Sequence, residues 1–316
     1  MRKLLFYFII LFSFVEIIAQ DIHYSQFYNS PLTLNPATTG LINGSFRASA
    51  IYRSQWWNTT NKFSSPGYQT PSASIDFPIR INNSALGIGV TFVNDKVAEG
   101  LMNDFYILGS LSYIQSMGKD YRHQLSFGLQ AAYMNRQIDA SHLQYASQFQ
   151  ANQFSSAFGL PEDLQSNTFN QIDVNAGLLW YGNFSKKFRM YLGGSLYNIV
   201  GQDIAYTESN SLEQSMRYSA HTGLEIGLGK RLELLPSILY FKQQQADQIN
   251  SGMALAFKAG NLEKPTRLLI GGYLRSVGWV KNLSMDAAIA YIGLEFVGFR
   301  LGMSYDYTLS DLKNAQ

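Results

Sequence analysis

Tyr218-Ser219-Ala220-His221-Thr222-Gly223-Leu224-Glu225-Ile226-Gly227-Leu228 alternates along its whole length. Tyr218, Ala220, Thr222, Leu224, Ile226 and Leu228 fall on one side of an extended chain. Ser219, His221, Gly223, Glu225 and Gly227 fall on the other. Successive side chains of a strand point to opposite faces, so a period of two is a strand's period. One face here is apolar throughout, and the other carries a carboxylate, an imidazole and glycines. That division suits a wall between lipid and a polar lumen, as in a transmembrane β-barrel.

The pattern recurs in both directions from this stretch. Around Ser126-Phe127-Gly128-Leu129-Gln130-Ala131-Ala132-Tyr133, Phe127, Leu129, Ala131 and Tyr133 take one face, and Gln124, Ser126, Gly128 and Gln130 the other. In 297–305, Val297, Phe299, Leu301, Met303 and Tyr305 alternate with Gly298, Arg300, Gly302 and Ser304, with Asp306 following on the polar face. Residues 172–180 put Asp173 and Asn175 inward. Residues 283–291 put Ser284, Asp286, Ala288 and Ala290 on the polar or small face. Further strands are expected near 45–53, 71–79, 85–94, 103–114, 188–198, 232–241, 249–258 and 266–275, of which 85–94, 188–198 and 232–241 alternate poorly. The total is about thirteen strands, and period-3.6 stripes are absent over most of the chain.

The connections alternate as well. Long ones are expected at 54–70, 95–102, 136–171 and 199–215, and more modest ones at 242–248 and 276–282. Between them fall tight ones at 81–84, 116–122, 182–187, 229–231 and 293–295, with 259–265 looser. Sorting of loops by parity is the signature of an up-and-down antiparallel barrel, with short turns at the periplasmic rim and long loops outside.

Composition agrees. Tyr 20, Phe 21 and Trp 4 in 316 residues can furnish interfacial girdles. A mean hydropathy of −0.09, with one long apolar run at the N-terminus, excludes a bundle of membrane helices. It leaves a barrel open, because polar lumen residues offset the lipid face. A formal charge of +2 gives no electrostatic case for nucleic acid or an acidic partner. The absence of cysteine excludes disulfides, zinc–thiolate sites and thiol nucleophiles.

Arg2 and Lys3, the apolar run 4–15 and the small Ala19 make residues 1–19 a signal peptide. A membrane anchor is the alternative, disfavoured by Glu16 and the short run. Residues 20–43 form a leader that packs in or on the barrel, and 44–316 form the barrel itself. A single-chain bacterial barrel has an even strand number, because both its ends face the periplasm. About thirteen strands leave it one short, so the expectation is a barrel without its last strand, a miscount being the alternative.

The stretch after the signal carries a likeness. Gln20-Asp21-Ile22-His23-Tyr24-Ser25-Gln26-Phe27-Tyr28-Asn29-Ser30-Pro31-Leu32-Thr33-Leu34-Asn35-Pro36-Ala37-Thr38-Thr39-Gly40 resembles the N-terminal signature of the PorP/SprF family of type IX secretion membrane proteins from Bacteroidetes. Tyr52-Arg53-Ser54-Gln55-Trp56 looks like that family's Tyr-Arg-x-Gln-Trp. Gly87-Ile88-Gly89 to Val93-Asn94-Asp95-Lys96 with Glu99-Gly100, then Leu125-Ser126-Phe127-Gly128-Leu129-Gln130 and Leu301-Gly302-Met303-Ser304-Tyr305-Asp306, continue it. The departure is the C-terminus, where the family carries a further strand, for about fourteen in all. The resemblance implies a non-enzymatic barrel in the outer membrane of a Gram-negative bacterium. Its partners would be lipid, the type IX components and a large secreted or surface-displayed protein, as in gliding motility. The alternative is an outer-membrane transport barrel for small, for example apolar, solutes; an outer-membrane hydrolase is a third class.

No motif points to catalysis, a metal or a cofactor. His23, His123, His142 and His221 are far apart and lack ligand spacing. Arg47, Arg53, Asp76, Asp173, His221, Glu225, Asp286, Arg300 and Asp306 fall on inward faces. They are candidates for a lumen network that either pairs with itself or grips a partner segment. Gly87 and Gly89 allow strand curvature or close packing in the lumen. Residues 21–40 lack alternation but carry Tyr24, Phe27, Tyr28, Leu32 and Leu34, too apolar for a disordered leader. In the outer loops Trp56, Trp57, Tyr145, Phe149, Phe154 and Phe158 are anchors for a partner, or else girdle and loop-packing residues.

Overall fold

The computed structural model describes residues 24–55, 67–97, 101–139, 149–150, 153–154, 167–201, 214–261, 265–278 and 283–310. Thirteen strands form one sheet in chain order. They are β1 (Arg47–Gln55), β2 (Tyr68–Ile81), β3 (Ser84–Val97), β4 (Met102–Met117), β5 (His123–Ile138), β8 (Asn167–Ser185), β9 (Phe188–Tyr197), β10 (Arg217–Gly227), β11 (Leu232–Gln243), β12 (Ala246–Ala259), β13 (Thr266–Val277), β14 (Ser284–Phe296) and β15 (Phe299–Thr308). Each neighbouring pair is antiparallel. Two short strands, β6 (Phe149–Gln150) and β7 (Gln153–Phe154), pair with each other between β5 and β8. The fold is thus an all-β, transmembrane, up-and-down barrel wall, and each expected segment coincides with one of its thirteen strands.

Burial is inverted relative to a protein folded in water. On β5, Leu129 is 62 % exposed while its neighbour Gln130 is 1 % exposed. Ile172 and Asp173 on β8 repeat the inversion at 63 % and 6 %. Phe77, Phe92, Leu111, Phe127, Leu192, Ile270, Ile292 and Leu301 extend the outward apolar face around the sheet. Such a continuous apolar surface is unfavourable in water and is what a lipid-facing wall requires.

Three details depart from the expected pattern. The connection expected at 242–248 is a two-residue turn, Gln244-Gln245, and Gln243 still pairs with Ala246 beside it. The polar run 242–248 has the composition of a loop, yet Gln243, Asp247 and Gln248 are buried. The last turn lies at Val297-Gly298 rather than 293–295, with both residues at positive φ, as a two-residue hairpin turn demands. Finally, Ala288 and Ala290 do not face inward. A bulge lets Arg275 oppose Ala287 while Ser276 opposes Met285, so Asp286 is the extra residue. Beyond it the alternation flips: Ala287, Ile289 and Tyr291 are buried and Ala290 is exposed.

The lumen is apolar along one arc. Ala254, Ala256, Leu269, Tyr273, Ile289 and Tyr291 cluster there against Tyr28. Leu239 and Phe241 of β11 pack with Phe27. This explains the poor alternation of 232–241, where both faces are apolar because something apolar covers the inner one.

The register makes a direct prediction. Leu129→Arg puts a charge on the lipid face near mid-strand and should lower folding stability in phospholipid vesicles by about 2–4 kcal/mol. Urea titrations of the two proteins in the same vesicles measure the difference; an unchanged midpoint would contradict the outward placement.

Candidate functional site, a segment held inside the barrel

Residues 24–40 run through the lumen as a string of short turns. A 3-10 turn at Phe27–Asn29 leads to one helical turn at Pro31–Leu34 and a second 3-10 turn at Pro36–Thr38. Each proline opens its turn, where its fixed φ is an advantage and its missing N–H is no loss. Asn35 caps the second 3-10 turn, its Oδ1 accepting from the Ala37 N–H at 2.9 Å. Thr38 and Thr39 hydroxyls bond back to the Asn35 and Pro36 carbonyls.

Turns this short leave most backbone carbonyls without an internal donor, and buried carbonyls need one. The strands supply them. Ser112 Oγ donates to the Thr39 carbonyl, Ser126 Oγ to Ala37, Gln130 Nε2 to Leu32, Ser195 Oγ to Leu34 and Tyr197 OH to Thr33, at 2.5 to 3.1 Å. Asn35, fully buried, reaches the other way: its Nδ2 lies 3.1 Å from the Leu178 and Gly194 carbonyls and from His221 Nε2. At one end Asp76 accepts from the Gly40 N–H at 2.7 Å and from Arg47, while Arg47 also donates to the Thr38 carbonyl. At the other end Ser25 donates to Asp306 and Gln26 to Ser304, both on β15.

Glycines make the approach possible. A Cβ on Gly128 would sit 2.2 Å from the Pro36 carbonyl carbon, and one on Gly177 would sit 2.0 Å from Asn35 Oδ1. Gly87 likewise meets the Thr39 carbonyl oxygen, so close lumen packing is its role.

Among the inward residues read from the sequence, Arg47 pairs with Asp76, and Asp286 and Asp306 share Arg275 at 2.6 and 2.7 Å. Glu225 pairs with Arg189, and Arg300 with Glu295. His221 meets Asn35; Arg53 lies on the inward face of β1; Asp173 is buried on β8. The structure brings Arg47, Asp76, His221, Arg300 and Asp306 onto the segment, to its backbone or through Asn35, Asn29 and Ser25. Sequence reading assigned no role to Asn35, Gln130, Gly177 or Arg275. The period-two register does point Gln130 and Gly128 inward, but nothing in one sequence says what they meet. Of the loop aromatics, Phe149 and Phe154 are paired positions of the β6–β7 hairpin. Trp56, Trp57, Tyr145 and Phe158 lie outside the described residues.

The chain belongs to the family of type IX secretion system membrane proteins PorP/SprF, whose profile matches residues 17–316. No curated protein matches the sequence. Among solved structures, a mutant of the ferric enterobactin receptor PfeA from Pseudomonas aeruginosa is similar at 10% identity and a TM-score of 0.40, over 83% of this chain and 48% of that one. BamA from Haemophilus ducreyi lacking POTRA domains 1-3 is similar at 12% identity and a TM-score of 0.40, over 85% of this chain and 65% of that one. This chain therefore spans about half of the first and about two thirds of the second.

If the glycine cradle seats the segment, Gly128→Ala should unseat it. Limited proteolysis of the variant in detergent should cut within 24–40, where the parent resists. Asn35→Ala, which leaves the buried Ala37 N–H without its acceptor and removes the bonds to Leu178, Gly194 and His221, should lower stability by about 1–3 kcal/mol. A variant as protease-resistant and stable as the parent would contradict the seating.

Proposed function

We propose that this protein is an outer-membrane barrel of the type IX secretion machinery that supports export or surface anchoring of a large partner protein. The family and the antiparallel barrel fold support an outer-membrane location and an association with secretion components. On this reading residues 1–19 are removed on export, the outward apolar face meets lipid, and the protein is neither an enzyme nor in need of a cofactor. The observation that carries the proposal is the segment 24–40 itself. Its carbonyls are bonded to five side chains on β4, β5 and β9, and its ends are tied to Asp76 and Asp306. A filled lumen suits a scaffold that presents its rim better than a conduit for solutes.

The rim with the long connections is then the working surface. Rigid strands hold loops well enough for those loops to bind. The β5–β8 connection, with its β6–β7 hairpin, is its largest part, and Trp56, Trp57, Tyr145, Phe149, Phe154 and Phe158 are its anchor candidates. Solute transport, the second reading, requires residues 24–40 to leave or move.

Deleting residues 140–165 should leave a membrane-inserted barrel but abolish surface display of the partner, read by protease shaving and immunolabelling of intact cells. Normal display together with reduced solute uptake would favour transport instead.

A further inference from the structure

Between the lumen segment and the long-connection rim lies a cavity of about 80 Å³. Thr33 of the segment lies at its base, and Val93, Leu108 and Met134 give it apolar walls. Tyr106 and Tyr197 add aromatic edges, and Asp173 and Arg217 also line it. Asp173 is the chemically unusual member. It is 6 % exposed, and its Oδ1 accepts from the Val174 and Val200 N–H groups at 2.6 and 3.1 Å. Its Oδ2 is buried and has no hydrogen-bond partner. A buried carboxylate oxygen left unmatched is costly, and it marks a place where a donor belongs.

The geometry restricts that donor. With Oδ1 already taken by two backbone groups, the carboxylate offers one oxygen, not two. A guanidinium fork, which binds carboxylate through both oxygens, cannot be matched there. A primary ammonium needs a single strong acceptor and brings a flexible aliphatic stem. The apolar walls suit that stem, and the tyrosines suit the cation. Arg217 is engaged over the Tyr197 ring, 4.2 Å from its centre.

We propose that this cavity is a binding site for a primary alkylammonium, and that its occupant is a lysine side chain of the exported or anchored partner. The second half rests on the function proposed above; the first does not. Asp173 binds the ammonium through Oδ2, and Val93, Leu108 and Met134 receive the methylenes.

The test uses the full chain in detergent micelles with 13C-methyl methionine, so that the Met134 methyl reports on the cavity. Titration with n-butylammonium chloride should shift that resonance saturably; n-butanol at equal concentration should not. Asp173→Asn keeps the Oδ1 acceptor and should weaken the ammonium response about tenfold or more. Should that variant fail to fold, Leu108→Trp, which fills the cavity and leaves residue 173 an aspartate, should abolish the response. No saturable shift, an equal response to n-butanol, or an undiminished response in either folded variant would overturn the site. In cells, Asp173→Asn should reduce partner display. Loss of ammonium binding with normal display would overturn the lysine assignment and leave the ammonium site standing. Loss of display after the 140–165 deletion, with the Met134 response intact, would support the proposed function independently.

Discussion

Irregular backbone inside a barrel must have its carbonyls met by side chains, and that constraint organises this molecule. Residues 24–40 contain no strand and no helix longer than one turn, so they cannot satisfy themselves. Serines at 112, 126 and 195, Gln130 and Tyr197 are therefore on the inner face as donors, not simply as polar filler. The same requirement places Gly87, Gly128 and Gly177 there, because the donors reach only if the backbones come close. Where the segment turns apolar, at Phe27 and Tyr28, the wall does too, through Leu239, Phe241, Tyr273 and Tyr291. The interior is thus a complement of one particular segment, polar or apolar as that segment demands.

The charges follow the same logic at longer range. Asp76 receives both Arg47 and the Gly40 N–H, so one ion pair also fixes the point where the segment leaves the lumen. Arg275 joins Asp286 to Asp306, and its Nη1 reaches Ser25 as well. Breaking one partner of such a pair would leave the other buried and unmatched, which is the expensive outcome. Polar groups of the lumen thereby act less as a surface open to solutes than as a mould.

Strand number, direction and most faces were legible in the sequence, because the period-two pattern is imposed by lipid on one side along every strand. It failed where a second influence entered. In 283–291 the bulge at Asp286 shifts the register, and no residue type announces a bulge. At 242–248 the polar run reads as a loop although the ladder continues through it. Poor alternation in 232–241 reflects Leu239 and Phe241 meeting Phe27. The site was less legible still. The aromatic content of residues 21–40 argues against a disordered leader, but the hub role of Asn35 depends on contacts with Leu178, Gly194 and His221. Those contacts are more than a hundred positions away in the chain.

Because strand direction alternates, the first and thirteenth strands of the sheet run the same way. They cannot complete an antiparallel ladder with each other, and among the described strands β1 and β15 are the two ends of the order. The segment in the lumen nevertheless reaches both. Its Thr38 carbonyl accepts from Arg47 on β1, and its Ser25 and Gln26 bond Asp306 and Ser304 on β15. Between those ends it is fastened to β4, β5, β8 and β9. It therefore ties β1 and β15, the two ends of the described strand order, from inside. Displacing it would break the bonds to both of those strands at once.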